Sequence, residues 1–138
     1  MNSGSTIIPC LRYRDARSMI DWLCKGFGFE KQAVYEEDGK IVHAQLTYGA
    51  GMLMLSEARS DGNFSRHMVQ PDEIAGRETQ CACVIVKDCK AHYEMAKAAG
   101  AVILDDYSEQ DYGGAGYSCA DPEGHLWWFG SYDPWQGA

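Results

Sequence analysis

Basic residues are scarce in this chain: 12 Lys and Arg stand against 20 Asp and Glu, a formal net charge of −8. A surface of that sign lacks the attraction that non-specific binding to nucleic acid or anionic membranes requires. Long apolar runs are missing too, so no membrane-spanning segment is expected. The opening Met1-Asn2-Ser3-Gly4-Ser5 is short and polar, and no signal peptide is expected there. None of the six cysteines (Cys10, Cys24, Cys81, Cys83, Cys89, Cys119) forms a CxxC pair, which argues against a structural zinc site. They are expected to be mostly reduced, buried thiols of a cytoplasmic protein, acting as small apolar residues.

Apolar residues make up 46% of the 138, with 4 Trp, 8 Tyr and 4 Phe. That is enough for a packed core, and residues 1–138 are expected to form one domain.

The chain is written twice. Asp15 recurs as Asp88, Gly28 as Gly100 and Gly51 as Gly124, at offsets of 73, 72 and 73. Each Asp is a good N-cap, and each first Gly is a good helix stop. Ala16, Met19, Ile20, Leu23 and Phe27 follow Asp15 at helical spacing. Strands are expected over 6–13, 29–37, 40–48 and 52–57, with Asp38-Gly39 as a hairpin turn. The second unit repeats the order: strand 79–86, a helix capped by Asp88, then strands 101–107, 116–120 and 125–132. Two βαβββ units, about 6–57 and 79–133, are therefore predicted. Residues 58–78 read as a surface connector, although connectors of this length also serve as lids. A repeat this long is a supersecondary unit that needs a partner to bury its face.

Asp121-Pro122-Glu123-Gly124-His125-Leu126-Trp127 before the last strand, Gly26-Phe27-Gly28-Phe29-Glu30 after the first helix, and His43-Ala44-Gln45-Leu46-Thr47-Tyr48-Gly49 with Gly51-Met52-Leu53-Met54-Leu55 resemble the vicinal oxygen chelate superfamily. That superfamily includes glyoxalase I, bleomycin-resistance proteins, fosfomycin-resistance enzymes and extradiol dioxygenases. The resemblance covers nearly the whole chain. It implies an α+β fold of two βαβββ repeats forming a cup-shaped mixed sheet, assembled as a homodimer.

In metal-using members the resemblance implies His, Glu or Gln ligands on the first and fourth strands of each unit. Counting from the capping Asp and the turn Gly places those positions at Ile8, Leu55, Cys81 and Trp128. Ile, Leu and Trp do not bind a hard or borderline metal, and one thiolate is no site. No cofactor is expected, although a divalent metal bound elsewhere stays open. Gln45 is the one residue resembling a ligand, in a segment similar to the Glu-Leu-Thr of glyoxalase I.

Alternation along strands then predicts the cup lining. Ile8, Leu55, Cys81 and Trp128 point inward, with Cys10, Arg12, Leu53, Glu57, Cys83 and Leu126 beside them, and His43, Gln45 and Thr47 of the third strand face the same cup. Arg12 and Gln45 would orient a ligand. Trp128 either stacks on that ligand or is core filler. Arg12 either binds an anion or pairs with Glu57. His43 and Glu57 are the catalytic candidates, as a proton-transfer pair, against a structural role for His43.

The expected function is a metal-independent small-molecule binding protein of bleomycin-resistance type, holding an apolar or aromatic molecule. The alternative is a glyoxalase-like lyase, isomerase or dioxygenase with an atypical metal site or none. A third possibility is a structural subunit whose cup is filled by its own side chains.

Overall fold

The computed structural model describes residues 4–136. Met1 to Ser3 of the polar N-terminus and the Gly137-Ala138 end lie outside them. In the first unit β1 is Cys10–Tyr13, α1 Ala16–Phe27, β2 Glu30–Glu37, β3 Lys40–Tyr48 and β4 Gly51–Glu57. In the second, β5 is Ala82–Ile85, α2 Cys89–Ala99, β6 Val102–Glu109, β7 Ala115–Ala120 and β8 Leu126–Gly130. The fold is α+β, with two four-stranded mixed sheets in the orders β1-β4-β3-β2 and β5-β8-β7-β6. The first strand of each unit pairs parallel with the fourth, and the other pairings are antiparallel.

Local chemistry sets these elements. Asp15 accepts a hydrogen bond from the Ser18 amide at 3.1 Å, and Asp88 from the Ala91 amide at 3.0 Å. Each satisfies an amide that the first helical turn leaves free. Gly28 and Gly100 end the helices in the left-handed region, at φ 84° and 105°.

The two units share one core. Phe27 of α1 lies 5.1 Å from Trp127 and 4.6 Å from Phe129 of β8, centroid to centroid. The Tyr13 hydroxyl of β1 donates to Asp121 at 2.7 Å, and Trp127 Nε1 donates to the same carboxylate at 3.1 Å. Each sheet thus turns one face to this core and the other outward. Among the described residues no strand of one sheet pairs with a strand of the other, and no helix is long and apolar enough to cross a membrane.

The repeat is out of step by one residue at the fourth strand. In the first unit Tyr48 pairs with Gly51, leaving two residues in the turn. In the second the Asp121 amide donates to the His125 carbonyl at 2.9 Å, leaving three. Leu46 therefore pairs with Leu53, whereas Cys119 pairs with Trp127. The counterpart of Trp128 is Met54, not Leu55. Leu55 corresponds to Phe129, and both point into the core, 2% and 0% exposed. The inward placement of Leu55 and Leu53 in the cup is corrected accordingly: one extra turn residue flips every side chain of the strand that follows.

Candidate functional site

The outward face of the first sheet carries a groove made of two adjoining cavities. One, about 330 Å³, is bordered by Arg12, Lys40, Ile41, Val42, Ser56, Glu57, Ala58 and Arg59. The other, about 240 Å³, has a mainly apolar border that includes Val42, Met54, Phe64 and Met68, with Cys10, Arg12, His43 and Ser56 as polar exceptions. Arg12, Val42 and Ser56 belong to both.

Arg12 reaches the junction because alternation on β1 sends it outward while Tyr13 goes into the core. Its Nη1 donates to Ser65 Oγ at 3.0 Å. Its carbonyl accepts from Gln70 Nε2 at 2.7 Å and faces His125 Nε2 at 2.8 Å. The other ring nitrogen of His125 faces Glu78 at 2.8 Å, which ties the second unit to the strand carrying Arg12.

The segment 58–78 is largely exposed, as a surface connector would be, but it is anchored at a few points. It contains two 3-10 turns, Ser65–His67 and Pro71–Ile74. Ser65, Gln70 and Pro71 are buried, and Pro71 rests on Gly124 of the Asp-Pro-Glu-Gly turn. Arg14 forms a two-bond pair with Asp72, at 2.8 and 2.6 Å, which holds the Asp72 carboxyl below its ordinary range. Phe64 and Met68 on this strap border the apolar cavity. In the sequence only their i, i+4 spacing points to this placement, and nothing there singles out Lys40.

The expected site residues divide between the sheets. Arg12 and Gln45 lie on the outward face of the first, where Arg12 borders both cavities and Gln45 neither; Leu55 is buried in the core yet forms part of the border of the apolar cavity. Cys81, just before β5, and Trp128 belong to the second unit and border neither cavity. Trp128 is half-buried on the outward face of its sheet, beside Cys83 and Ser118. A Cβ on Gly116 would come within 2.6 Å of the Trp128 ring, so the missing side chain makes room for the indole.

His43 and Glu57 do not form the expected pair. His43 Nε2 hydrogen-bonds Gln45 Oε1 at 2.8 Å, and the Gln45 amide donates on to Gln32. Glu57 Oε2 instead accepts from the Ile41 amide at 3.4 Å. The β3–β4 ladder pairs Gln45 with Met54 and Ala44 with Leu55, so alternation puts His43 on the face of Met54 and Glu57 on the face of Leu55. Burial pushes the Cys83 thiol up, and it pushes Cys119 up to about 12.

With the register corrected, the outward residues on the first and fourth strands are Cys10, Arg12, Met54 and Ser56 in one sheet, Cys83 and Trp128 in the other. This donor set does not fit the His, Glu and Gln site implied by the resemblance. Among the described residues no group of three or more His, Cys, Asp or Glu is placed to hold a metal ion.

Comparison with known proteins decides the family. The Glyoxalase/Bleomycin resistance protein/Dioxygenase superfamily profile matches residues 7–129. The chain belongs to this superfamily. Uncharacterized protein Rv0887c of Mycobacterium tuberculosis is 30% identical over 131 residues, 94% of this chain and 76% of that protein. Among solved structures, TioX from Micromonospora sp. ML1 superposes with a TM-score of 0.72 at 30% identity, covering 92% of this chain and 98% of TioX. The fosfomycin resistance protein FosX from Listeria monocytogenes superposes at 0.66 with 11% identity, over 96% of this chain and 94% of its own. The last likeness speaks for the superfamily fold alone.

Proposed function

We propose that this protein is a metal-independent small-molecule binding protein of bleomycin-resistance type, working as a homodimer in the cytoplasm. The carrying observation is the groove on the first sheet: an open, largely apolar cavity beside a polar one, with no hard-metal donor set facing it. Met54, Val42, Phe64 and Met68 supply burial for an apolar or aromatic body, and a few polar groups fix its orientation. Binding of this kind needs no general base, and His43 is already committed to Gln45.

The homodimer reading rests on the outward faces. Each sheet buries one face in the common core, so a cup closed on both sides needs a second chain. The second sheet offers Ile85, 37% exposed, and Val102, 58% exposed, beside Trp128 on the face that would meet it. Six free cysteines support the reducing compartment.

The test is a fluorescence titration with phenylnaphthylamine, a neutral aromatic probe that brightens on leaving water. Saturable binding is expected that is unchanged by chelator or by added zinc or manganese, and weaker in Met54→Asp. Binding that appears only with metal would overturn metal independence. No saturable binding at all would sink the groove.

A further inference from the structure

The two halves of the groove differ in charge as well as polarity. On a chain of net charge −8, the larger cavity is bordered by three cations, Arg12, Lys40 and Arg59, against one carboxylate, Glu57. Their surroundings separate the three. Arg59 is neutralised by Asp61 through two hydrogen bonds, at 3.1 and 3.2 Å. Arg12 and Lys40 have no carboxylate oxygen within 4.0 Å among the described residues. The only side-chain partner of the Arg12 guanidinium there is the neutral Ser65 hydroxyl, on one nitrogen. Its remaining donors are free for a ligand.

Among the described residues four of the twelve cations are ion-paired, Arg59 and three others. Arg14 is taken by Asp72 and Glu73, Arg17 by Glu36 and Lys31 by Asp21. Across the β2–β3 hairpin Glu37 stands opposite Lys40, yet the two make no ion pair. What sets Arg12 and Lys40 apart from the other unpaired cations is that they border one cavity together, and with Arg59 neutralised and Glu57 the one carboxylate in that lining, the cavity keeps a net positive charge that suits an anion.

Arg12 also borders the apolar cavity, so the cationic end is continuous with the Met54, Phe64 and Met68 end through Arg12, Val42 and Ser56. We infer that the ligand is an amphipathic anion. Its apolar body lies between Met54 and the strap residues Phe64 and Met68, and its oxyanion head lies between Arg12 and Lys40. The planar guanidinium suits a carboxylate, a sulfonate or a phosphate head, because each offers two oxygens to its fork. Ser65 holds that fork in place before the ligand arrives, which lowers the entropy lost on binding. This inference rests on the groove being the binding site, and the experiment keeps the two apart.

Two probes share one aromatic body. Phenylnaphthylamine is neutral, and anilinonaphthalenesulfonate adds a single negative charge. The sulfonate is expected to bind about tenfold more tightly, the gain of a single charge-assisted hydrogen bond. The ratio of the two dissociation constants should fall toward one in Arg12→Gln and in Lys40→Gln. The second variant matters because Arg12→Gln also releases Ser65, whereas Lys40 makes no hydrogen bond to another side chain. Octanoate or octyl phosphate should displace the sulfonate probe better than octanol, and the better of the two acids identifies the head. Equal affinities for both probes, or a ratio that Lys40→Gln leaves alone, would overturn the anion and keep the groove. Failure of both probes to bind would remove the groove and the anion together.

Discussion

His92 sits where α1, α2 and β7 meet. Its Nδ1 lies 2.6 Å from the Tyr117 hydroxyl, and its Nε2 lies 2.8 Å from the Phe27 carbonyl. A carbonyl only accepts, so Nε2 carries the proton, and Nδ1 accepts from Tyr117 in the neutral ring. Burial holds the His92 pKa below its ordinary value of 6.5. The unfolded chain therefore binds the proton more readily than the folded one. The stability linked to His92 is fully present above about 6.5 and is lost as pH falls through the depressed folded value. Denaturant midpoints at pH 7.5 and pH 5.5 check this. The wild type should lose stability between them, and His92→Gln should lose less while starting about 1–3 kcal/mol lower. An unchanged pH slope in the variant would assign the acid sensitivity elsewhere. The buried Asp121 has the opposite sign, since desolvation raises it despite the bonds from Tyr13 and Trp127. Both caps, Asp15 and Asp88, were legible in the sequence because capping is a contact over three residues. His92 and Asp121 were not, because their partners lie 65 and 108 residues away.

At the scale of elements, the order of strands and helices was legible from periodicity and turn residues, although the first strand of each unit, expected over 6–13 and 79–86, is only Cys10–Tyr13 and Ala82–Ile85. The face presented by β4 was not. Gly51 and Gly124 look equivalent, yet the second turn holds one residue more, and only the ladder reveals which strand has slipped. The strap between the units escaped for another reason: its buried residues Ser65 and Gln70 are polar, and their burial is offset by bonds to Arg12. Composition alone reads such residues as solvent-exposed. Gln70 gives the strap a test. Gln70→Ala removes the donor to the Arg12 carbonyl, which keeps His125 as its neighbour. The loss should therefore be local, about 1 kcal/mol of strap opening. Trypsin should cut after Arg59 and Arg66 several-fold faster, at an almost unchanged global melting temperature. A large fall in melting temperature with no change in cleavage would make Gln70 a core residue instead of a latch.

The whole molecule carries a conflict between its charge and its proposed assembly. Two copies of −8 repel, while the proposed dimer would bring the outward faces of the sheets together. Apolar contact through Ile85, Val102 and Trp128 must exceed that repulsion for a homodimer to form. Salt screens the repulsion, with a Debye length of about 10 Å at 0.1 M and about 3 Å at 1 M. Association driven by apolar faces should then strengthen with salt, whereas the attraction of a sulfonate probe to Arg12 and Lys40 should weaken. Sedimentation equilibrium between 0.05 and 1 M sodium chloride reads the first trend, and the probe titration reads the second. The expected result is a species of two 15.3 kDa chains whose dissociation constant falls as salt rises, with Ile85→Glu monomeric throughout. A dimer that comes apart in salt would instead be held by ion pairs between chains, moving the interface off these apolar faces. A monomer at every concentration would leave the outward face of the second sheet, Trp128 included, outside the site. The groove would then have to bind its ligand with the first sheet and the strap alone.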